Sequence, residues 1–474
     1  MKCVSFSIKT ILLEKAQTLQ LRIYRLLEEV EMDSHDVVLI NANFSHSADT
    51  QRLCLPLGVL YIGALLISEG LNITLLDYNA EPKNFDEIEK EIQQINAPIF
   101  AITSLSSGYS FVKKIVPKIR KNAPNSRILL GGSITFGIPE FILQKTGVDV
   151  VVEGEAESCI LPIVEAILSN KEFWNIPGVH SMVNNKIKRP QQHQNIVHDL
   201  SVLPFPAWHL VNVEEYISKS LHSWHSEQMR SFPILASRGC PYNCNFCSKT
   251  LGSGIRVRGY DLVEEIQTAI DRYHIDDIWF IDEEFALSEK RLMEMCKIMR
   301  SIPKPLTFVC SMRVDRVSSK GLRAMKNAGC RRIIYGVESG SPKILRAMNK
   351  KSTVAQASKA IIETRRYGIE AYVNFMIGYS GETEKTLRET ANFMKQHRLY
   401  SGFGFTTPLP GTKLFDDAVS SKKIGDLDLY LESLDKELTT KLAINLTSMS
   451  TKRLLELRQS VQNETFPNRV VLKD

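Results

Sequence analysis

The sequence predicts an α/β protein with two parallel sheets in succession. Between residues 37 and 155, short apolar runs alternate with amphipathic helical stretches, which is typical of an open, doubly wound parallel sheet of the flavodoxin type. A second alternation of six strand and helix units begins at Pro233 and indicates a partial (β/α)6 barrel of the TIM type. At 474 residues the chain is too long for one ordinary domain.

The pattern divides the chain into five segments. A region with Pro190, Pro204 and Pro206 shows no sustained hydrophobic periodicity, which is typical of a linker. Beyond Phe415 the chain mixes Leu with charged residues and is predicted to be helical. The predicted segments are a helical extension over residues 1–35, an open-sheet domain over 36–160, a connector over 161–230, a partial barrel over 231–415 and a C-terminal helical region over 416–474.

Short apolar runs predict the strands, and longer amphipathic stretches between them predict the helices. In the open-sheet domain, strands are expected at residues 37–40, 73–76, 99–102, 128–130 and 148–152, and helices at 56–68, 86–95, 109–121 and from 139. In the barrel, strands are expected at 234–237, 277–281, 308–311, 332–336, 371–377 and 403–406, each pair joined by a helix. Both architectures bind ligands beyond the carboxyl ends of their strands.

Composition indicates which partners, which compartment and which cysteine chemistry to expect. The net charge is +6, with Lys and Arg interspersed among Asp and Glu, so neither nucleic acid nor an anionic membrane is demanded as a partner. The apolar runs are shorter than a bilayer requires and no secretory signal opens the chain, which predicts a cytoplasmic protein. Nine cysteines favour metal ligation in a reducing compartment over disulfides. Six of them are expected in the cores: Cys3, Cys54, Cys159, Cys296, Cys310 and Cys330.

The other three cysteines carry the chemistry. Cys240, Cys244 and Cys247 have the spacing CxxxCxxC, which lets three thiolates hold three corners of a [4Fe–4S] cluster and leaves the fourth iron without a protein ligand. The alternatives are a zinc knuckle or a chance cluster of thiols, but structural zinc prefers four ligands in two pairs, and no second CxxC or HxxxH follows. Because the motif follows the first barrel strand, its loop should lie on the catalytic rim.

This motif resembles that of the radical S-adenosylmethionine superfamily. The resemblance implies that the open iron chelates the amino and carboxylate groups of S-adenosylmethionine and that the reduced cluster splits its carbon–sulfur bond. It also implies an electron donor such as flavodoxin or ferredoxin. Phe246 matches the aromatic position that in the family lies near the adenine.

Runs after the later barrel strands resemble the same core. S-adenosylmethionine needs acceptors for its ribose hydroxyls and amino group, and donors for its carboxylate. We expect Glu338 and Ser339 to supply the acceptors and Arg313 the donor, with Asp282 at the rim. A structural ion pair is the alternative role of Glu338.

A glycine loop follows the fifth barrel strand. Gly378 and Gly381 are expected to pass close to the adenine, although Ser380 stands where the family usually has Pro. Tyr242 and Tyr379 are interpreted as packing residues rather than rim aromatics.

The open-sheet domain resembles the vitamin-B12-binding domain that precedes many radical S-adenosylmethionine cores. Two adjacent glycines leave the fourth strand's end without side-chain bulk, so a flat macrocycle can approach the backbone there. The alternative is a flavodoxin-like domain without a corrinoid. The residues expected at the cobalamin are Thr103, Ser104, Leu105, Gly131, Gly132 and Ser133, and the run over 151–157 also fits the resemblance.

The loop after the first strand departs from one subclass of these domains. Domains that bind cobalt from below carry Asp-x-His-x-x-Gly there, whereas His46 lacks both the Asp two residues before it and the Gly three residues after it. We therefore expect no protein histidine on the lower face of the cobalt, an arrangement that should aid transfer of a methyl group as a radical.

The combined resemblance implies a radical methyltransferase that acts on an unactivated carbon or phosphorus of a small-molecule substrate. The first alternative is an oxidative cyclase of the anaerobic magnesium-protoporphyrin ester type. Methylthiolation of transfer RNA lacks support because Cys3, Cys54 and Cys159 form no second trio and the tail is not basic. A non-catalytic corrinoid or iron–sulfur sensor is the remaining alternative. The substrate pocket is expected to draw on the connector over residues 208–230 and on the C-terminal helices. The connector includes His222, Trp224 and His225, and neither histidine is expected to be a ligand.

Overall fold

The structure is a computed structural model that describes residues 33–42, 53–184, 186–190, 195–220, 229–399, 403–434 and 441–465. The predicted N-terminal helix lies outside the described residues, and so do Cys3, His46, His222, Trp224 and His225.

The first sheet has seven strands, of which the first five in the chain are parallel. Val37–Asn41 lies between Ile73–Asp77 and Ile99–Thr103, so the strand order reverses there, and Arg127–Gly131 and Val150–Val152 follow outward. This is the flavodoxin-like order, and the predicted doubly wound sheet is confirmed. The helices on its faces are Leu57–Ser68, Phe85–Gln93, Tyr109–Asn122, Pro139–Thr146 and Ile160–Leu168.

Local sequence explains these elements. All five residues of Val37–Asn41 are buried, as expected for a parallel strand covered by helices on both faces. Phe85–Gln93 begins with a capping box in which the Asn84 side chain and Glu87 satisfy each other's backbone N–H groups. Pro139 opens its helix at the first position, where a missing N–H costs nothing.

The first sheet continues into the predicted connector. Val179–Val183 pairs antiparallel with Val150–Val152, and Lys186–Lys188 pairs antiparallel with Val179–Val183. The last strand carries two exposed lysines, a composition that protects a sheet edge and hides the strand from hydrophobic periodicity. The short helix Val213–Ser218 also lies in this region.

The second sheet confirms the predicted partial barrel. Six parallel strands follow one another in chain order, and the first and last are not paired in the described chain. The strands are Ser231–Ile234, Asp277–Phe280, Thr307–Met312, Cys330–Glu338, Glu370–Ile377 and Phe403–Phe405. The helices around them are Asp261–Tyr273, Glu289–Ser301, Ser319–Asn327, Pro342–Ala347, Val354–Arg366 and Glu384–Gln396.

The C-terminal region is helical, as predicted, and joins the two domains. Its helices are Lys413–Ser420, Leu427–Ser433 and Thr451–Thr465. Asp428 accepts hydrogen bonds from the Tyr109 hydroxyl at 2.6 Å and from Lys113 Nζ at 2.8 Å, which ties the C-terminal region to a helix of the first domain.

Four of the six cysteines expected in the cores are buried, and Cys54 is half-buried. Within the described ranges, no helix combines the length and the apolar composition that crossing a membrane would require.

Candidate active site

The cysteine motif lies on a loop that the fold closes at its base. Ser237–Arg238 pairs antiparallel with Arg256–Val257, so all three cysteines belong to the intervening loop. Gly239 has φ +90°, and a Cβ there would collide with the carbonyl oxygen of Gly254. This turn therefore requires glycine directly before Cys240.

Backbone hydrogen bonds hold the middle of the loop. The N–H of Asn245 donates to the carbonyl of Met348 at 2.9 Å, and the carbonyl of Asn245 accepts from the N–H of Leu414 at 2.8 Å. The Asn349 amide donates to the carbonyl of Asn243 at 2.6 Å. The residues between the cysteines are thus fixed by segments that follow the fourth and sixth barrel strands.

The three thiols lie on one loop beside a cavity, as a shared iron–sulfur cluster requires. Cys244 and Cys247 line a cavity of about 540 Å³, and Cys240, earlier on the same loop, is half-buried. Among the described residues, no three His, Cys, Asp or Glu side chains are placed to hold a metal ion. A [4Fe–4S] cluster holds its thiolates farther apart than a single ion does, because each thiolate binds a different iron.

Arg313, predicted for the carboxylate of S-adenosylmethionine, is engaged by protein groups. Its guanidinium pairs with Asp315 at 2.9 Å, donates to the carbonyl of Lys350 at 2.9 Å and lies 3.7 Å from the centre of the Tyr242 ring. The Tyr242 hydroxyl in turn accepts from Arg316 at 2.7 Å. Arg313 therefore fixes a residue of the cysteine loop, and its contact with the cofactor stays a prediction.

Glu338 lies at the end of the fourth barrel strand in a strained conformation. Its φ is +68°, next to a register shift between Gly336 and Glu338. The buried carboxylate accepts from Lys350 Nζ at 2.9 Å, and that ammonium lies 5.6 Å from the centre of the Phe246 ring. Burial lowers the pKa of Lys350, but the charge of Glu338 and the nearby Cys244 outweigh it, so the net shift is upward. Lys350 thus links the predicted acceptor to the predicted adenine neighbour.

Asp282 supports the chain before the cysteine loop. Its two oxygens accept from the N–H of Ala236 at 2.8 Å and from the Ser237 hydroxyl at 2.6 Å. Burial raises the pKa of Asp282 to about 6 against these hydrogen bonds. The structure gives both oxygens protein donors, so the carboxylate is a positioning group for the loop, and a direct cofactor contact stays a prediction.

Glu284 is a second buried carboxyl group, two residues after Asp282. It accepts from the N–H of Arg313 at 3.3 Å, and burial raises its pKa to about 7.

Ser339 and the glycine loop lie on neighbouring strand ends. The Ser339 hydroxyl is buried and bonds to Thr390 and to the N–H of Ser341. Gly378 and Gly381 have φ of +88° and +81°, and nothing lies within 4 Å of a Cβ added to Gly381. The Glu382 carboxylate accepts from the N–H of Gly378 at 2.6 Å, so a buried acid shapes this loop.

The residues predicted for cobalamin meet at one edge of the first sheet. Gly132 has φ +84°, and a Cβ there would lie 2.5 Å from the carbonyl oxygen of Ser104 and 3.0 Å from Thr103 Oγ1. A Cβ on Gly131 would meet open space. Glycine is thus required at Gly132 by backbone packing, whereas Gly131 leaves room for a ligand. Leu105 is 44% exposed beside this edge, and Ser133 begins the next turn.

A cavity of about 310 Å³ lies between this edge and the barrel. Its first wall includes Leu39, Gly131 and Glu155, and its second includes Arg238 and Leu251 of the cysteine-loop segment. A mostly apolar cavity with a side-chain-free edge and a few polar groups fits part of a corrinoid. The predicted cobalamin edge and the cysteine loop therefore face a common space.

Phe136 lines both cavities, the one between the domains and the one at Cys244 and Cys247. Its ring packs against Gly411, where a Cβ would collide with it. Phe136, a residue of the first domain, thus forms part of the boundary of both cavities beside the cysteine loop.

Sequence reasoning missed Lys350, Arg238 and Phe136. Lys350 and Arg238 are ordinary basic residues in the sequence, and only the fold brings them to buried carboxylates. Phe136 follows the predicted Gly131-Gly-Ser run, and that position was the one available signal.

Comparison with known proteins agrees with this geometry. Residues 234–394 match the family model of the Radical SAM superfamily, and residues 47–162 match that of the B12 binding domain. The chain is 30% identical to an uncharacterized methyltransferase of Pyrococcus horikoshii over 77% of this chain and 79% of that protein. It is 24% identical to the anaerobic magnesium-protoporphyrin IX monomethyl ester cyclase of Cereibacter sphaeroides over 83% of this chain and 65% of that protein.

The fold is also similar to a solved structure. The radical S-adenosylmethionine methyltransferase TsrM from Kitasatospora setae, solved with cobalamin and a [4Fe–4S] cluster, superposes with a TM-score of 0.65. The match has 17% sequence identity and covers 82% of this chain and 76% of that one, so it establishes the shared fold.

Proposed function

Because the chain belongs to the family of radical S-adenosylmethionine enzymes with an N-terminal B12-binding domain, we propose that it is a radical methyltransferase. Its target is an unactivated carbon, or phosphorus, of a small-molecule substrate. The observation that carries the proposal is the cavity shared by the glycine edge of the first sheet and the cysteine-loop segment. That arrangement suits an enzyme that uses two cofactors side by side.

Different residues would hold each of these cofactors. Cys240, Cys244 and Cys247 would hold three irons of a [4Fe–4S] cluster, and Gly131 and Gly132 would face the cobalamin. When bound, these groups supply one-electron cleavage of S-adenosylmethionine and a transferable methyl group. The protein supplies position, because backbone hydrogen bonds from two other segments hold the loop between the cysteines.

The S-adenosylmethionine would lie beside Phe246 and Glu338. In this proposal Glu338 accepts from the ribose hydroxyls or the amino group, and Lys350 keeps the carboxylate oriented. Ser339, Gly378 and Gly381 supply neighbouring backbone edges. Arg313 and Asp282 belong to the shell that positions the loop.

An oxidative cyclase is the second candidate. The relative from Cereibacter sphaeroides that carries this name is 24% identical, and it would need the same two cofactor sites. The two candidates differ in the fate of the methyl group of S-adenosylmethionine.

We also propose that the protein works in a reducing cytoplasm and receives its electrons from a small electron-transfer protein. Cys247 is exposed on a cavity of about 540 Å³, so a cluster there would lie near the surface that a flavodoxin or ferredoxin could approach.

The test begins with anaerobic reconstitution with iron, sulfide and hydroxocobalamin, followed by desalting. The protein is reduced and given S-adenosylmethionine with a deuterated methyl group, and the products are measured by mass spectrometry. A methyltransferase should yield S-adenosylhomocysteine and deuterated methyl on the corrinoid. It should also yield 5′-deoxyadenosine, whose new hydrogen atom comes from the reductant or buffer because no substrate is present.

The other outcomes decide between the candidates. If 5′-deoxyadenosine appears without S-adenosylhomocysteine, the cyclase replaces the methyltransferase. If the desalted protein retains no corrinoid absorption, both candidates are wrong. The control is the variant with Cys240, Cys244 and Cys247 all changed to Ala, which should form no 5′-deoxyadenosine.

A further inference from the structure

The loop after strand Val150–Val152 places a glutamate in the cavity between the domains. Glu155 is 3% exposed and lines that cavity. Its Oε2 accepts from Arg256 Nη1 at 2.7 Å and from the N–H of Val197 at 2.6 Å. Its Oε1 is buried and has no hydrogen-bond partner among the described residues. Oε2 therefore has two hydrogen-bond donors, whereas Oε1 has none among the described residues.

An unpartnered buried oxygen is unusual because burial removes its hydrogen bonds to water. The charge itself is balanced by two guanidinium groups, since Arg238 Nη1 lies 3.7 Å from Oε2 in addition to Arg256. What is missing at Oε1 is therefore a neutral hydrogen-bond donor rather than a further cation.

The backbone holds Glu155 in this place. The N–H of Glu155 donates to the carbonyl of Asn195 at 3.0 Å. Gly154 has φ +96°, and a Cβ there would lie 2.7 Å from the same carbonyl oxygen. The carboxylate is preorganised by the fold, as a ligand-binding group should be.

We propose that Oε1 of Glu155 accepts a hydrogen bond from the bound corrinoid. The donor is a neutral group, either a primary amide on the rim of the macrocycle or a hydroxyl of the nucleotide tail. This inference rests on the proposed cobalamin site, whose glycine edge lines the same cavity as Glu155. It assigns a binding role to one residue of the run over 151–157, outside the glycine edge.

The same glutamate also touches the base of the cysteine loop. Arg238 and Arg256 are paired residues of the short hairpin that closes that loop, and both face Glu155. A change at Glu155 must therefore be checked for damage to the cluster as well as to the corrinoid site.

The experiment measures the affinity of the reconstituted full-length protein for hydroxocobalamin and for cobinamide, which lacks the nucleotide tail. The test variant is Glu155→Gln, which keeps the size of the side chain and removes the charge. In this variant the amide oxygen must face the donors Arg256 and Val197, so the amide nitrogen, which cannot accept, takes the place of Oε1. Loss of the hydrogen bond from the corrinoid should weaken binding about 10- to 100-fold. The matched control is Glu265→Gln, because Glu265 makes a buried ion pair with Arg258 outside the cavity.

Iron content and melting temperature are recorded for each protein. A loss of affinity for hydroxocobalamin alone supports a hydroxyl of the nucleotide tail, and a loss for both corrinoids supports an amide of the ring. If Glu155→Gln does not fold, Glu155→Asp keeps the charge and withdraws the oxygen, and the same loss is expected.

Two outcomes count against the inference and are distinguishable. Unchanged affinity for both corrinoids in a folded, cluster-containing variant, or an equal loss in Glu265→Gln, would overturn the role of Glu155. If the wild-type protein binds neither corrinoid, the cobalamin site itself fails.

Discussion

At the scale of single residues, Lys350 defines the surroundings of Glu338. The two side chains form a buried ion pair, and the same ammonium lies over the Phe246 ring. A buried pair stabilises little by itself, but an unpaired buried carboxylate is costly. Both roles of Glu338, acceptor for S-adenosylmethionine and member of an ion pair, are compatible within one arrangement.

Two substitutions separate these roles. Lys350→Met should lower the free energy of unfolding by about 3 kcal/mol or more, because it leaves the Glu338 carboxylate buried without a partner. The double variant with Glu338→Gln should regain much of that loss. Chemical denaturation measures both effects.

Glu338→Gln alone should weaken the binding of S-adenosylmethionine about tenfold if the carboxylate accepts from that cofactor. Isothermal titration of the anaerobic protein is the measurement. Wild-type affinity in this variant would restrict Glu338 to its ion pair.

The role of a residue can be predicted from the sequence where the spacing of a motif indicates its chemistry. Cys240, Cys244 and Cys247 are recognisable for that reason. Lys350 is not, because nothing in the sequence indicates that its ammonium is buried against a carboxylate twelve positions earlier. Arg313 and Asp282 were expected to touch a cofactor, but the structure gives them protein partners that a sequence pattern does not show.

At the scale of elements, two loops from different domains meet at glycines. A Cβ on Gly137 would collide with Gly411, and a Cβ on Gly411 would collide with the Phe136 ring. Both glycines have positive φ, at +74° and +77°. This contact closes the space beside the cysteine loop.

Gly411→Ala should therefore destabilise the protein by about 2 kcal/mol or more and reduce retention of hydroxocobalamin, since the ring of Phe136 must move. Gly70→Ala is the matched control, because Gly70 has the same φ of +77° with nothing within 4 Å of the added Cβ. Melting temperature and corrinoid absorption after desalting are the measurements. Equal effects of the two substitutions would show that strain alone, and not the contact with Phe136, matters.

The glycine loop after the fifth barrel strand depends on a buried acid. Burial raises the pKa of Glu382 from 4.5 to about 8, against the hydrogen bonds from the backbone of Gly378 and Tyr379. The folded state thus holds a proton that the unfolded state has released above its ordinary pKa. Stability should fall as the pH rises from about 4.5 to about 8 and should level off above it.

Glu382→Gln should reduce the slope of melting temperature against pH in this range, because the amide does not titrate. Asp282 and Glu284, whose pKa values burial also raises, account for the slope that remains. Glu81→Gln, at an exposed position, should leave the slope as in the wild type. An unchanged slope in Glu382→Gln would mean that other groups cause the pH dependence.

Elements were predictable where hydrophobic periodicity decides them. Strands such as Val37–Asn41 and Val150–Val152 are buried and mostly apolar, so their positions follow from the sequence. Lys186–Lys188 is different, since a three-residue edge strand with two exposed lysines is defined by its partner strand rather than by its own pattern. Short edge strands are therefore the elements that local patterns miss.

At the scale of the whole molecule, the two domains and the C-terminal helices form one framework around the cavities. Glu155 and Glu157 of the first domain pair with Arg256 and Arg238 of the cysteine-loop hairpin. Asp428 joins the C-terminal region to the first domain through Lys113 and Tyr109. The sequence predicted the two domains separately, but contacts between residues so distant in the chain follow only from the folded structure.

The most direct test of the account is the electron paramagnetic resonance spectrum of the reduced, reconstituted protein before and after addition of S-adenosylmethionine. We predict about four iron atoms per chain and a signal that changes when S-adenosylmethionine is added. Cys54→Ala should behave as the wild type, and Cys244→Ala should lose the signal. A full cluster whose spectrum does not respond to S-adenosylmethionine would contradict the account.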